Sequence, residues 1–333
     1  PPRSTPKPSS AASDVYKRQR GKHNLQLFNS VFPDVKLSGT IGNFDGLHLG
    51  HQAILDKIKN NAEKHDAKTI VFFTEPHAAE YFAKSRDKDS EAPPRISPWR
   101  EKFKLLKKHN IDFAFFLKFN NSLRTMSPEA FISDILDSIN LVSFTVGDDF
   151  RFGQDRKGDT ALLREWGDKK NILIENTETI LFEGERISST RIRNAILGNN
   201  FTLAENLLGR PYTFSGKIVH GQHLGRTIDV PTANIWLPKQ KLPIKGVYAV
   251  ECILEGQTYS GIANMGIRPT VGGNKPVLEI HLFKFNKDIY SKRLTVRFIQ
   301  KIRDEKKFDN LGMLKLQIQK DISKAINILR NYQ

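Results

Sequence analysis

The chain has 333 residues, 38% of them hydrophobic, and carries 52 Lys and Arg against 36 Asp and Glu for a formal net charge of +16. Such length and apolar content exclude a disordered polypeptide and point to two domains, while no apolar run approaches the ~18 residues of a membrane span. A single cysteine, Cys252, excludes an internal disulfide framework and a Cys-rich zinc site, and it fits a reducing, cytoplasmic setting.

Residues 1–19, PPRSTPKPSSAASDVYKRQ, are Pro- and Ser-rich without hydrophobic period and read as a disordered tail. No apolar h-region follows the basic residues, so a signal peptide is not expected. The run Ser10–Gln19 reads as a translated transposase adapter, so this tail is expected to be non-native and the natural start to be missing.

From Val35 the chain alternates apolar runs with amphipathic stretches. The pattern predicts strands over Val35–Ile41, Thr69–Phe73, Ile111–Leu117, Leu141–Val146 and Ile172–Glu175. Helices are predicted over Gln52–His65, Pro98–His109, Ser127–Ile139 and Thr160–Gly167, the third capped by Ser127 with Pro128 at its first position. Alternating strands and helices imply a doubly wound parallel sheet, whose ligands bind beyond the carboxyl ends of the strands. The rhythm changes near Leu208-Gly209-Arg210-Pro211. Closely spaced strands follow at Phe214–Val219, Val247–Leu254, Tyr259–Ala263, Val277–Phe285 and Leu294–Ile299. A final helix carries Leu314, Ile318, Ile322, Ala325 and Leu329 on one face. The expected architecture is α/β: a sheet domain over 20–208, then a compact antiparallel barrel with a C-terminal helix over 209–333.

The first candidate site is Gly42-Asn43-Phe44-Asp45-Gly46-Leu47-His48-Leu49-Gly50-His51, an H-x-G-H between a strand and a helix. Gly42 and Gly50 let backbone approach a phosphate, Asn43 and Phe44 lie in the same loop, and the helix N-terminus offers free amides. Two imidazoles, His48 and His51, can stabilise charge on phosphate oxygens in a nucleotidyl transfer, chemistry that asks for positioning more than for covalent participation. Two ordinary loop histidines are the plainer alternative. A second element, Ile187-Ser188-Ser189-Thr190-Arg191, opens a helix with three hydroxyls and a cation. It can hold phosphates, with Arg191 neutralising a leaving pyrophosphate, or it can simply be a well-capped helix.

Together these two elements carry the signature of the nucleotidyltransferase superfamily. The stretches Gly147-Asp148-Asp149-Phe150-Arg151-Phe152-Gly153, Arg156-Lys157-Gly158-Asp159 and Phe73-Thr74-Glu75-Pro76-His77 resemble one branch of it. That branch is the FMN adenylyltransferase module of bacterial bifunctional riboflavin kinase/FAD synthetases. The resemblance implies flavin binding by Asp148, Phe150, Arg151, Phe152 and Arg156; either aromatic could equally be core. The sequence departs at Ala78, where the family usually has Pro, and in the inverted order of Phe73-Thr74.

The second half carries His220-Gly221, Leu224-Gly225-Arg226-Thr227, Pro231-Thr232-Ala233-Asn234, Asn264-Met265-Gly266-Ile267-Arg268-Pro269-Thr270 and Lys301–Phe308. Read cold, Pro-Thr-Ala-Asn is a polar turn whose Thr232 and Asn234 oxygens suit Mg²⁺. Glu279 is an acid inside an apolar strand, either an outward-facing side chain or a base for a primary hydroxyl. These stretches resemble the riboflavin kinase domain of the same family. The resemblance implies Mg²⁺ and ATP at Thr232 and Asn234, nucleotide phosphates near Gly221, Gly225 and Thr227, and Glu279 as catalytic base. Asp229-Val230 replaces the usual Gly-Phe.

The function this implies is ATP-dependent conversion of riboflavin to FMN and then of FMN to FAD, with pyrophosphate released and no covalent enzyme intermediate. The partners are small molecules: riboflavin, FMN, FAD and ATP, with neither nucleic acid nor membrane. Two rivals are a nucleotidyltransferase with another acceptor and a basic RNA- or DNA-binding module. The first lacks a reason for Gly147–Asp159, and the second lacks a Lys/Arg stripe with interleaved aromatics. The charge is also local: residues 20–209 hold 27 cations against 26 anions, and residues 210–333 hold 21 against 9. Such a field can steer phosphorylated ligands toward the second half.

Overall fold

The computed structural model describes residues 22–85, 92–220, 230–237, 241–270 and 273–332. The tail 1–19, Gly221, Gly225, Thr227 and Asp229 lie outside the described residues. By contact the chain groups into two units, one reaching Pro93 and resuming over Lys102–Ile187, the other comprising Pro94–Glu101 and Ser188–Gln333.

In the first unit β1 (Leu37–Ile41), β2 (Lys68–Glu75), β3 (Phe113–Lys118), β4 (Leu141–Gly147) and β5 (Leu173–Thr177) form a parallel sheet in the order β3-β2-β1-β4-β5. The helices of this part of the chain are α1 (Lys22–Val31), α2 (Leu49–Lys64), α3 (Ala78–Ser85), α4 (Trp99–Lys108), α5 (Asn121–Arg124), α6 (Pro128–Phe131) and α7 (Thr160–Lys170). Strand β2 shows why its sequence is almost continuously apolar. Ile70 and Phe72 pack on one face with Phe115, Leu117 and Phe144, whereas Val71 and Phe73 pack on the other with Leu55, Ile58 and Leu106. A short hairpin of β6 (Leu181–Phe182) and β7 (Glu185–Arg186) follows.

Three predicted helices differ in detail, α7 by running three residues past Gly167 to Lys170. Helix α2 begins three residues earlier than its apolar period, because His48 caps it: its side chain accepts from the His51 amide. Ser127 caps α6 with Pro128 in the first turn, as read, but the α-helical pattern gives way to a π-helical turn over Ile132–Leu136.

From Ser188 the second unit continues with α8 (Ser189–Leu197) and α9 (Phe201–Leu208). Strands β8 (Thr213–Val219), β9 (Ala233–Ile235), β10 (Gly246–Leu254), β11 (Gln257–Thr270), β12 (Gly273–Leu282) and β13 (Arg293–Arg303) close a barrel in the order β10-β11-β12-β9-β8-β13. Inward positions alternate as a period of two requires: Leu278, Ile280 and Leu282 are buried while Glu279 and His281 are half-exposed. Helix α10 (Leu311–Tyr332) lays Ala325 and Leu329 on Val247, Ala249, Ile262 and Ile302. Its buried Asp321 receives Nε and Nη2 of Arg303 at 2.8 and 2.7 Å and Nε2 of Gln317 at 2.8 Å. Cys252 is fully buried on β10, where burial pushes its thiol pKa upward. No described helix is long and apolar enough to cross a membrane.

Candidate functional site

The first unit gathers its motifs at one edge of the sheet. The loop after β1 carries Gly42–His48, the loop after β2 carries Pro76 and His77, and the loop after β4 carries Asp148–Asp159. Strand order reverses between β1 and β4, so two of these loops flank the switch point where open α/β sheets bind ligands. The β1 loop has an unusual backbone: Phe44, Gly46 and Leu47 have φ of 46°, 78° and 43°. Gly46 adopts this freely, but Phe44 and Leu47 do not. Their side chains are 1% and 0% exposed in the core beside Leu55 and Ile58, and that burial holds the backbone in place.

Helix α2 starts where the loop ends, so the positive end of its dipole lies beside the loop. The His51 amide donates to Nδ1 of His48 at 3.3 Å, so the neutral His48 ring carries its proton on Nε2. The His48 and His51 rings stack with centroids 3.6 Å apart at 17°, and Phe44 lies 5.0 Å from His51. A Cβ on Gly50 would crowd the His48 ring at 3.3 Å, so glycine keeps that side open. Asn43 is exposed; its side-chain oxygen accepts from Thr74 Oγ1 at 3.2 Å. His77 follows a cis Glu75–Pro76 bond, and its amide donates to Glu80 at 3.2 Å. Ala78 is the first residue of α3, a place where Pro would fit equally well, so that departure leaves the helix start intact.

The residues of the Gly147–Asp159 loop separate by environment. Phe152 is 6% exposed, packs 5.3 Å from Phe131 and exchanges backbone hydrogen bonds with Gly158. Phe150 is half-buried and stacks on Phe152 at 5.6 Å, while Arg151 and Arg156 are exposed. Asp148 accepts from Thr179 Oγ1 at 3.2 Å. Asp149 pairs with Arg186 at 2.9 Å, and the Arg186 hydrogen bond holds its carboxyl below the usual carboxylate range.

Ser188–Arg191 falls in the second unit. Ser188 caps α8, its Oγ accepting from the Arg191 amide at 3.2 Å; Ser189 and Arg191 are half-buried and Thr190 exposed. In the barrel, Asn234 on β9 lies directly opposite Glu279 on β12, and Glu279 lies opposite Asn264 on β11. Opposed residues of antiparallel strands project to the same side, so the three polar side chains form one row. Asn234 is 8% exposed, and Asn264 Oδ1 is buried without a hydrogen-bond partner. Thr232 lines a cavity of about 370 Å³ with Pro231, Ala233, Ile280, Lys287 and Tyr290. His281 Nδ1 lies 2.8 Å from the Pro231 carbonyl, and Tyr290 stacks on His220 at 3.8 Å. Val230 is buried ahead of Pro231.

Among the described residues no cluster of three or more His, Cys, Asp or Glu suits a metal ion. The hydroxyl and amide oxygens of Thr232 and Asn234 are hard donors of another kind. They fit Mg²⁺, which takes few protein ligands and keeps water and phosphate oxygens. Two residues that sequence reading missed stand out. Asn264 sits in a motif without an assigned role, and Lys102, inside α4, is buried to 1% exposure against the β1 loop.

A family model for FAD synthetase matches residues 34–191, and one for riboflavin kinase matches residues 208–329. The bifunctional riboflavin kinase/FMN adenylyltransferase of Haemophilus influenzae is 40% identical over 308 residues, 92% of this chain and 97% of that protein. The protein of the same description from Escherichia coli K12 is 42% identical over 304 residues, 91% of this chain and 94% of its own length. A crystal structure of a Streptococcus pneumoniae protein described as a macrolide-efflux protein superimposes with a TM-score of 0.70 at 30% identity, covering 87% of this chain and 94% of that one.

Proposed function

The chain belongs to the bifunctional riboflavin kinase/FMN adenylyltransferase family, and on that premise we propose which of its residues carry the two reactions. The reactions are phosphorylation of riboflavin to FMN and adenylylation of FMN to FAD, each consuming ATP. We divide them between 209–333 and 20–208.

In the kinase reaction Glu279 takes the proton of the riboflavin 5′-hydroxyl as that oxygen attacks the γ-phosphorus, and ADP leaves. Asn234 and Thr232 would hold Mg²⁺, which when bound would supply charge neutralisation on the nucleotide phosphates. The 21 cations against 9 anions of residues 210–333 favour approach of ATP. In the adenylyl transfer a phosphate oxygen of FMN attacks the α-phosphorus of ATP and pyrophosphate leaves, with no proton to abstract. His48, through Nε2–H, and His51 donate to the charge that grows on the α-phosphate. Gly42, Asn43, Phe44 and Gly50 shape the backbone around the phosphates; Ser188, Ser189, Thr190 and Arg191 take the leaving pyrophosphate.

Flavin recognition falls to Asp148, Phe150, Arg151 and Arg156, with Phe152 supporting Phe150 from the core. Gly221, Gly225 and Thr227 complete the nucleotide contacts of the kinase. Both reactions use small molecules, anionic ATP with neutral riboflavin or anionic FMN, and we place them in the cytoplasm without nucleic acid.

The observation that carries the kinase assignment is the register that sets Asn234, two residues after Thr232, directly opposite Glu279. The test is purified protein incubated with riboflavin, ATP and MgCl₂ and followed by chromatography. FMN should appear first and FAD after it; formation of neither product would sink the reading.

A further inference from the structure

We propose that Lys102 is a positioning residue for adenylyl transfer. Its buried ammonium, held between the Asn43 carbonyl and Nε2 of His77, fixes the phosphate loop and the tautomer of His77. This inference rests on reading Gly42–His51 as the phosphate site.

Nothing in the sequence marks Lys102, one of five Lys and Arg in WREKFKLLKK. In the fold it is 1% exposed, and its Nζ lies 2.6 Å from Asn43 O, 3.4 Å from His77 Nε2 and 4.9 Å from the centroid of the Phe73 ring. Removing an ammonium from water is costly unless its donors are used, so a lysine kept here has work for its charge. The 2.6 Å contact is a charge-assisted hydrogen bond, and the ring face of Phe73 adds a favourable electrostatic contact.

Two consequences follow from ammonium chemistry. Asn43 C=O and Phe44 N–H belong to one peptide unit. A cation on the oxygen polarises the amide and resists rotation of that peptide, next to a phenylalanine held at φ 46°. An ammonium also has donors only, so Nε2 of His77 must accept, which places the neutral ring's proton on Nδ1. One side chain from α4 thus ties the loop after β1 to the loop after β2.

The test uses the full chain, so riboflavin phosphorylation is measured in the same sample. Lys102→Met keeps the volume and removes the charge. It should lower kcat for FAD formation by about 10- to 100-fold, the size expected for a residue that orients a contacting group. KM for FMN should stay within about threefold, and phosphorylation should be unchanged. Lys102→Ala should regain part of its adenylylation with added propylammonium but not with propanol, a difference that mere cavity filling would not produce. Nitrogen-15 spectra should show His77 protonated at Nδ1 in the wild type and at Nε2 in Lys102→Met.

Adenylylation by Lys102→Met within about twofold of wild type would overturn the proposal. So would equal rescue by propanol, or a wild-type His77 protonated at Nε2. The parent reading fails separately: it falls if His51→Ala makes FAD at the wild-type rate. Loss in His51→Ala beside normal turnover in Lys102→Met would remove the Lys102 proposal alone.

Discussion

The two candidate phosphate sites are assembled in opposite ways. In the first, ten consecutive residues, Gly42–His51, supply left-handed backbone, two stacked imidazoles and a helix N-terminus. In the second, Asn234, Glu279 and Asn264 come from three strands and meet only because β9, β12 and β11 pair in one register. A contiguous site survives distant changes as long as its own loop is held. A register site depends on the whole barrel, since a slip of one residue sends every side chain to the other face. Their electrostatics differ too: residues 20–209 are nearly balanced in charge, whereas residues 210–333 carry a broad positive excess.

The largest expected effects test whether the two sites are separable. His51→Ala should lower FAD formation by about 10²- to 10³-fold, the cost of removing a transition-state donor, while riboflavin still becomes FMN. Glu279→Gln should lower phosphorylation by about 10²- to 10⁴-fold, the range for a general base, while supplied FMN is still adenylylated. Loss of the opposite activity in either variant would reverse the assignment.

A smaller effect separates contiguity from register. A Cβ on Gly216 would come within 2.1 Å of Ile235 Cγ2, beside Asn234 on the three-residue strand β9. Gly216→Ala should therefore destabilise the barrel by about 1–3 kcal/mol, seen by calorimetry, and reduce phosphorylation without touching adenylylation. Equal loss of both activities would mean the sites are not independent.

The smallest effect concerns Asp149. Its carboxyl is held low mainly by the Arg186 hydrogen bond, so Arg186→Gln should move its pKa back up toward the ordinary value, as an NMR titration would show. The pair's stabilisation is present above the unfolded carboxyl pKa and is lost as pH falls through the lower folded value, so the window lies below about pH 4. Both side chains are largely exposed, and solvent screening limits the effect to under about 1 kcal/mol.

Strands β2 and β4 of the first unit were legible in the sequence because they are buried along most of their length and read as largely apolar runs, while the half-exposed β5 followed from the strand–helix alternation. The start of α2 was not, since His48 caps it and histidine is not a usual cap signal. Strand β9 was hidden in Pro-Thr-Ala-Asn, which is local turn chemistry until β8 and β12 pair with it. Helix α9 had signals that could have found it: Asn200 caps it and Gly209 ends it in a left-handed conformation. In the candidate sites, His48 and His51 were visible as a spaced pair and Glu279 as an acid in an apolar run. The core position of Phe152, the unpartnered oxygen of Asn264 and the burial of Lys102 all depend on neighbours far along the chain, which no local pattern encodes.

Cys252 has a consequence for watching either unit alone. The chain's one thiol is fully buried on β10, and its raised pKa keeps it as the unreactive thiol rather than the thiolate. The native surface is therefore blank to maleimide reagents. A cysteine introduced at exposed Asn43 or exposed Lys287 would be the only group such a reagent finds, so a dye could report on one candidate site while the other stays unlabelled.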